Sequence, residues 1–386
     1  MERKNVYEGT LMEYCFKMQH ICGVDPKRQD FWSHLRTTLF SVQMIFGIIL
    51  ITIDVFLDWN GLESLEKASL LPVFIQVFIK FMFIKVASKS LRSLLNQIEN
   101  FWPRDYLGKE VQEKINSIHV KSRKIFLAYF WSCLFCVSIS LAMPAFSGFK
   151  TLPTNWYLLC DLNNTICYTV NYLDLIVDEF MSAFCPVIYE ATFIAWITFA
   201  YCEFEMVKYA VEQLQIDERI SADKILREIT KISAHHDKVL RFSNDLRDNY
   251  SMQLLYHYFL NMIAIFYSIV MGMPKGFPPD FDHFTRFGNL LICTLYQSAV
   301  FCAGGSILLE ESITVAESFY NINWYIRTYP KIRRTLSFMI QRAQEPAKLT
   351  IGKTNTINLE TFVSIVRNAF SCVTLLNSVY GREEND

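Results

Sequence analysis

Three short patterns in the sequence approach catalytic or metal-binding motifs, and each lacks a residue that the chemistry needs. The Gly-Lys-Thr at 352–354 lacks the earlier glycine of a phosphate-binding loop, because position 347 is alanine. The Gly-Gly pair at 304–305 fits no nucleophile elbow and is expected to let two helices approach closely. The adjacent histidines at 235–236 cannot share one helix face as metal ligands. The sequence therefore predicts neither an enzyme nor a cofactor.

Three ionisable residues interrupt long apolar stretches, where a charge is costly and usually has a function. They are Lys80, Glu190 and Arg367. Lys80 can direct its ammonium toward a membrane surface, whereas Glu190 needs a partner or water. A Lys80–Glu190 ion pair would satisfy both groups. Arg367 has two open interpretations, a charge at a pore or a contact with a neighbouring subunit.

The last apolar stretch carries a polar stripe at helical spacing. Its members recur at steps of four, three, four and three: Ser364, Asn368, Ser371, Leu375 and Ser378. The opposite side is apolar and suited to packing, with Phe362, Ile365, Ala369, Val373 and Leu376. The stripe either hydrogen-bonds to a neighbouring helix or lines a water-filled pore with Leu375 as a hydrophobic constriction.

The composition indicates what kind of protein positions these residues. The chain has 386 residues, of which 52% are hydrophobic, and 32 are phenylalanine. That balance is typical of a protein in a lipid bilayer. The formal net charge of -1 argues against a nucleic-acid partner.

Seven stretches are long and apolar enough to cross a membrane: 39–57, 68–87, 125–143, 180–202, 254–273, 287–309 and 357–380. The predicted fold class is all-α, a seven-transmembrane-helix membrane protein. Most lysines and arginines outside these stretches lie on the inner side if the N-terminus is cytoplasmic. We therefore expect a cytoplasmic N-terminus and an extracellular C-terminus, the reverse of a G-protein-coupled receptor.

The segments between the stretches predict an anchor domain of extended cytosolic helices. No proline or glycine occurs between Val187 and Met271, so helices four and five should continue well into the cytosol. These cytosolic helices could pack within one chain or assemble several subunits, and the sequence leaves both interpretations open.

The predicted organisation follows from these boundaries: a cytosolic segment 1–38, helices one to four over 39–203 with an extracellular loop 149–179, a cytosolic helical extension 204–253, helices five and six over 254–309, cytosolic anchor helices 310–356, and helix seven with a short extracellular tail 357–386.

The predicted extracellular loop carries two further features. Asn163 begins an Asn-Asn-Thr glycosylation sequon. Cys160 and Cys167 could form a disulfide or remain free thiols.

The outer halves of the middle helices offer a lining for a ligand. Aromatic and apolar residues meet there at one depth, around three prolines, Pro72, Pro144 and Pro186, that are expected to break the helices. The candidate ligand-binding residues are Phe74, Phe78, Ser138, Leu141, Met143, Phe184, Ile188, Tyr189, Tyr296 and Gln297. Such a lining suits a small, mainly apolar and possibly aromatic ligand, and ordinary bundle packing is the alternative for many of these residues.

The region SFMIQRAQEPAKLTIGKTNTINLETFVSIVRNAFSCVTLL resembles the helix-seven signature of insect odorant receptors. The matching positions are Gln341, Arg342, Pro346, Leu349, Thr350, Gly352, Lys353, Leu359, Glu360, Thr361 and Phe362. The resemblance implies a ligand-specific tuning subunit of an odorant-gated, non-selective cation channel that passes Na⁺, K⁺ and Ca²⁺. It also implies a heterotetramer with co-receptor subunits in the plasma membrane of olfactory sensory neurons, and a volatile organic ligand in the outer half of the bundle.

The same resemblance places the pore constriction at Leu375 and a polar ring at Ser378. Three alternatives remain at this point. A gustatory-type receptor channel would share the fold and take a non-volatile ligand. A G-protein-coupled receptor would need the opposite orientation, and a transporter would be expected to show an inverted repeat.

Overall fold

The computed structural model describes residues 6–28, 30–57, 62–147, 152, 164–214, 220–272, 281–322 and 330–383. Within these ranges the side chains of residues 62–63, 143–147, 281–286 and 375–383 lie outside the description.

The described residues form helices and one short hairpin, which confirms the all-α class. In chain order the elements are α1 (Leu11–Cys22), α2 (Phe31–Leu57), α3 (Leu62–Ala68), α4 (Leu71–Val86), α5 (Ser88–Glu99), α6 (Lys109–Ser147), α7 (Thr165–Glu212), α8 (Ala222–Gly272), α9 (Phe281–Tyr320), α10 (Pro330–Ala343), β1 (Thr350–Ile351), β2 (Asn355–Thr356) and α11 (Leu359–Glu383).

The central helix of the bundle is α7, which is buried along most of its length. It runs through Pro186 without interruption, and α6 likewise includes Pro144. The expectation that these two prolines break their helices is therefore wrong. A proline removes one backbone hydrogen bond, and the long buried face of α7 compensates for that single loss. Pro72 lies in the first turn of α4, where proline is well tolerated.

Six helical segments in the described part of the chain are long and apolar enough to cross a membrane. They are Phe31–Leu57, Ser64–Val86, Lys109–Ala142, Thr165–Glu212, Ala222–Gly272 and Phe287–Tyr320. They correspond to the first six predicted stretches, and α11 corresponds to the seventh. Large apolar side chains remain exposed on several of them, including Leu39, Val42, Phe135, Ile139, Val170 and Val177. An apolar exterior of this kind suits contact with lipid.

Both α7 and α8 extend well beyond a membrane span, as the absence of helix breakers predicts. They have 48 and 51 residues, about twice the length that a bilayer requires. Buried apolar residues recur along the first half of α8 at helical spacing, beginning with Ile225, Ile229 and Ile232. The extensions therefore have a packed interior of their own.

The hairpin explains the Gly-Lys-Thr sequence that approached a phosphate-binding loop. Gly352 has a positive φ of 61°, the left-handed conformation that glycine adopts at little cost, and it begins the turn between β1 and β2. Its backbone N–H donates to the carbonyl of Ser251 on α8 at 2.9 Å. The segment therefore fastens the start of α11 to the bundle.

The two glycines at 304–305 allow close packing, as predicted. A Cβ at Gly304 would lie 2.7 Å from the ring of Phe193 on α7. A Cβ at Gly305 would collide with the carbonyl oxygen of Ile357, immediately before α11. Two residues after Ile357, the Leu359 N–H donates to the hydroxyl of Ser306 at 3.0 Å. The start of α11 can therefore lie this close to α9 only because Gly305 has no side chain.

Candidate functional site

A buried ion pair lies at the centre of the bundle. Lys80 Nζ on α4 is 2.9 Å from Glu190 Oε1 on α7, and neither side chain is exposed. Lys80 also donates to Gln297 Oε1 on α9 at 2.7 Å, and Tyr129 Oη on α6 donates to Glu190 Oε2 at 2.5 Å. These four residues, called the Lys80–Glu190 cluster below, connect four helices. The suggested ion pair is therefore present.

Aromatic rings surround this cluster. Lys80 Nζ lies 5.7 Å from the ring centroids of both Tyr189 and Phe301, within the range of cation–π attraction. The ring of Tyr129 stacks on Tyr296, with centroids 4.1 Å apart and planes at 15°. Burial of an ion pair is tolerated only when the remaining polar positions are satisfied, and here phenol, amide and ring faces all contribute.

A second polar chain joins α4, α8 and α9. Gln76 Nε2 lies 3.1 Å from His257 Nδ1 and 3.4 Å from Asn261 Oδ1. Asn261 in turn donates to the carbonyl of Thr294 at 2.7 Å and to the hydroxyl of Ser298 at 2.5 Å. Because Gln76 and Lys80 are one helical turn apart, the two polar groups form a continuous layer across the bundle.

Some of the predicted ligand residues meet at the Lys80–Glu190 cluster. Gln297 is a member of the cluster, Tyr296 stacks on Tyr129, and Tyr189 lies beneath the Lys80 ammonium. Tyr296 and Gln297 are half-buried, so each has surface left for another molecule. Within the described part of the chain, the Gln297 amide nitrogen donates no hydrogen bond.

Other predicted ligand residues lie elsewhere in the bundle. Phe74 and Ile188 are buried in the core, and Phe78 is packed against it. Phe184 contacts the ring of Phe130 on α6 at a centroid distance of 5.9 Å.

The two remaining described candidates lie on α6. Ser138 is exposed and bonds to the carbonyl of Leu134 within its own helix, while the Leu141 carbonyl accepts from Tyr172 Oη at 2.8 Å. The side chain of Met143 lies outside the described residues.

The first two-thirds of α11 present three distinct faces. Ile365 and Ala369 are buried against the bundle. Asn368 and Ser371 are exposed on a polar face, with Ser364 half-buried above them. A third face exposes apolar side chains, Val363 at 61% and Phe370 at 55%. A single chain therefore leaves both a polar and an apolar surface of α11 uncovered.

Several predicted features lie beyond the described residues. The side chains of Leu375 and Ser378 are among them, as are Cys160 and the sequon at Asn163. Cys167 is disulfide-bonded. Over the described ranges, no group of three or more histidine, cysteine or acidic side chains could hold a metal ion. His235 instead contacts Glu203 at 2.8 Å and stacks on Trp102.

Sequence reasoning missed Tyr129 as a member of the cluster. A tyrosine in an apolar stretch is usually a packing residue. The hydroxyl of Tyr129 becomes important only because Glu190 lies at the same depth on another helix. A usable signal was the rule that a buried carboxylate needs more than one donor. That rule calls for a hydroxyl or amide near Glu190 in addition to Lys80.

Curated relatives share low but extended sequence similarity with this chain. Odorant receptor 67c of Drosophila melanogaster is 20% identical over 382 residues, covering 91% of this chain and 93% of that receptor. Odorant receptor 46a, isoform B, of the same organism is 23% identical over 355 residues, covering 87% and 90%.

Solved structures share the fold. The insect olfactory receptor OR5 from Machilis hrabei in complex with eugenol superposes with a TM-score of 0.81 at 15% identity, covering 96% of this chain and 98% of that one. The structure of OR5 described without eugenol gives a TM-score of 0.80 at 14% identity, covering 95% and 97%.

The family model described as 7tm Odorant receptor matches residues 60–370, which include α3 to α10 and the first part of α11. From this match, we conclude that the chain belongs to the 7tm odorant receptor family.

Proposed function

We propose that the chain is an odorant-binding subunit of a ligand-gated, non-selective cation channel. The observation that carries the proposal is the three-faced surface of α11. Its polar face, with Ser364, Asn368 and Ser371, suits water, while the exposed Val363 and Phe370 suit another protein surface. A ring of subunits around a common axis would satisfy both surfaces at once.

In this proposal the pore is lined by the α11 stripe, with Leu375 as the constriction and Ser378 beside it. Na⁺, K⁺ and Ca²⁺ are the permeating ions. The other subunits are co-receptor chains in a heterotetramer, in the plasma membrane of olfactory sensory neurons. The N-terminus is cytoplasmic and the C-terminus extracellular, which the distribution of lysine and arginine supports.

The ligand in this proposal is a small aromatic volatile that binds beside the Lys80–Glu190 cluster. The stacked Tyr129–Tyr296 pair offers an aromatic surface, and the Gln297 amide nitrogen can donate to an oxygen of the ligand. The OR5 structure from Machilis hrabei is a complex with eugenol, which is a small oxygenated aromatic molecule. The ligand opens the channel only to the extent that it binds the open state more tightly than the closed state.

The test is cation current in cells that express the chain together with a co-receptor. We expect a current that depends on both subunits and on at least one member of a panel of aromatic volatiles. The matched control expresses the co-receptor alone. Surface expression of both subunits without any odorant-dependent current would count against the proposal.

A further inference from the structure

Exposed apolar side chains form one stripe along α2, beginning in its first turn. They recur at steps of three and four residues: Trp32, Leu35, Leu39, Val42, Phe46 and Ile49. The helix is long and apolar enough to cross a membrane, so this stripe suits contact with lipid chains. Trp32 is the first member and is 63% exposed, and tryptophan is enriched where a membrane meets water. The start of α2 is therefore expected at the depth of the lipid headgroups.

Two cations connect α4 and α5 to the segment between α1 and α2. Lys85 Nζ, in the last turn of α4, donates to the carbonyl of Gly23 at 3.4 Å. Arg92 Nε on α5 donates to the carbonyl of Pro26 at 3.1 Å. Val86 follows Lys85 and is 77% exposed, which suits a side chain at the boundary of the lipid. The end of α4 and the start of α5 therefore lie beside the segment that leads into α2.

Three further cations belong to the same region. Arg28 lies in the segment between α1 and α2, and Lys89 lies in the first turn of α5. Both side chains are exposed, and over the described ranges neither pairs with an acidic side chain. Arg36 Nε donates to the carbonyl of Trp32 at 3.2 Å, one turn earlier on α2. The five cations are called the basic surface below: Arg28, Arg36, Lys85, Lys89 and Arg92.

Two acidic residues in the segment between α1 and α2 offset part of this charge. Asp30 accepts from the backbone N–H of Ser33 at 3.0 Å. Asp25 is buried and accepts from the backbone N–H of Lys27 at 2.8 Å. The Lys27 ammonium lies 4.1 Å from the ring centroid of Tyr7 and is engaged there. Because five cations face two carboxylates, the basic surface keeps a net positive charge.

We propose that the basic surface binds the headgroup of an anionic phospholipid in the cytoplasmic leaflet of the membrane. That leaflet carries anionic lipids, and clusters of about four to eight lysines and arginines at the cytoplasmic end of a span attract them. Guanidinium groups bind a phosphate through paired hydrogen bonds. The choice of leaflet rests on the cytoplasmic N-terminus of the proposed function.

A phospholipid matches both parts of this region, whereas a soluble anion would match only the cations. The negative headgroup meets the basic surface, and the acyl chains continue along the apolar stripe that begins at Trp32. The Lys80–Glu190 cluster and α11 contribute no residue to the basic surface. Lipid binding can therefore be measured as protein stability, without any channel current.

The experiment follows thermal unfolding of the purified full-length chain in detergent, with added phosphatidylserine or phosphatidylcholine of identical acyl chains. We expect phosphatidylserine to raise the Tm by about 2–4 °C more than phosphatidylcholine does. Raising sodium chloride from about 0.05 M to about 0.5 M should remove most of this difference, because salt screens exposed charges. Arg28→Gln/Lys89→Gln should raise the phosphatidylserine concentration at the half-maximal shift about tenfold.

The matched control is Arg227→Gln/Lys238→Gln, which removes the same charge from exposed positions on α8. Lys238 lies 16 residues before the fifth apolar stretch, about 24 Å along a helix and beyond the screening length of about 8 Å. We expect this control to keep the response of the unsubstituted chain. Both double variants replace exposed side chains, so their Tm without added lipid should stay unchanged.

Three results would overturn the proposal. Equal shifts with the two lipids would exclude a preference for an anionic headgroup. An unchanged phosphatidylserine response in Arg28→Gln/Lys89→Gln would place the lipid elsewhere, and an equal loss in both double variants would assign the preference to net charge. Detergent has no inner or outer side, so none of these results depends on the orientation, which antibody access to an N-terminal tag measures separately.

Discussion

Lys80 Nζ and Glu190 Oε1 are 2.9 Å apart in the interior of the bundle, and both side chains are fully buried. Their helices, α4 and α7, are also connected through Gln297 and Tyr129 to α9 and α6. Removing two charges from water is expensive, so the pair does not by itself make the bundle stable. Its effect is to fix how four helices meet, because any other arrangement would leave a charge unpaired.

We expect Glu190→Gln to destabilise the protein by about 3–5 kcal/mol, because it leaves the Lys80 ammonium buried without a counter-charge. The double variant Lys80→Met/Glu190→Gln should recover part of that loss. Thermal unfolding of the purified chain is the measurement. The control is Glu228→Gln, which breaks an exposed pair with Lys231 and should change stability by less than about 1 kcal/mol. Equal losses of stability in Glu190→Gln and Glu228→Gln would contradict the expectation.

Tyr296 should control the response to aromatic ligands. Its ring stacks on Tyr129, so Tyr296→Leu removes an aromatic surface next to the Lys80–Glu190 cluster. We expect the half-maximal concentration for an aromatic agonist to rise about tenfold, the equivalent of 1.4 kcal/mol. Tyr296→Phe keeps the ring and should stay close to the unsubstituted receptor. Concentration–response curves measured with the co-receptor decide between these outcomes, and an unchanged curve for Tyr296→Leu would remove Tyr296 from the binding site.

Much of the fold could be predicted from the sequence, because membrane helices are determined by long-range composition. The length of the apolar stretches predicted six of the spans. The absence of proline and glycine from Val187 to Met271 predicted that α7 and α8 are extended. The Lys80–Glu190 pair could be suggested because an unpaired charge is so costly in a bilayer. These inferences depend on strong, non-specific forces.

The parts that could not be predicted depend on how helices rotate and tilt. Ser138 was grouped with the ligand residues only because its position in the sequence predicts the same depth in the membrane. Its side chain is exposed on α6. The role of Tyr129 required knowing which face of α6 meets Glu190 on α7. Pro186 was expected to break a helix because local propensity favours a break, and tertiary burial of α7 overrides that propensity.

Gly305 should tolerate no side chain. A Cβ there would collide with the carbonyl of Ile357, which leads directly into α11. Gly305→Ala should therefore destabilise the chain by at least the roughly 1–3 kcal/mol typical of overpacking, since a backbone atom cannot move aside easily. Gly272→Ala is the control, because its Cβ would meet Phe287 at an ordinary 3.7 Å. Thermal unfolding of both variants is the measurement, and equal stability would disprove the close approach.

The loop that carries Asn163 should lie outside the cell. Treatment with peptide-N-glycosidase F should increase the electrophoretic mobility of the chain, and Asn163→Gln should reproduce that change. An N-terminal epitope tag should remain inaccessible to antibody in intact cells and become accessible after permeabilisation. A tag that is accessible on intact cells would contradict the proposed orientation, whatever the glycosylation state.

The polar face of α11 should be reachable by water-soluble reagents, while its buried face should not. Ser371 is exposed and Ala369 is buried, two residues apart on the same helix. In a Cys372→Ser background, which removes the thiol that is exposed among the described free cysteines, Ser371→Cys should lose most of its odorant-evoked current after treatment with a positively charged methanethiosulfonate reagent. The modified side chain places a bulky cation in the conduction path, where it blocks other cations sterically and electrostatically. Ala369→Cys should respond normally after the same treatment. Equal sensitivity, or equal resistance, of both variants would mean that the exposed stripe does not line the pore.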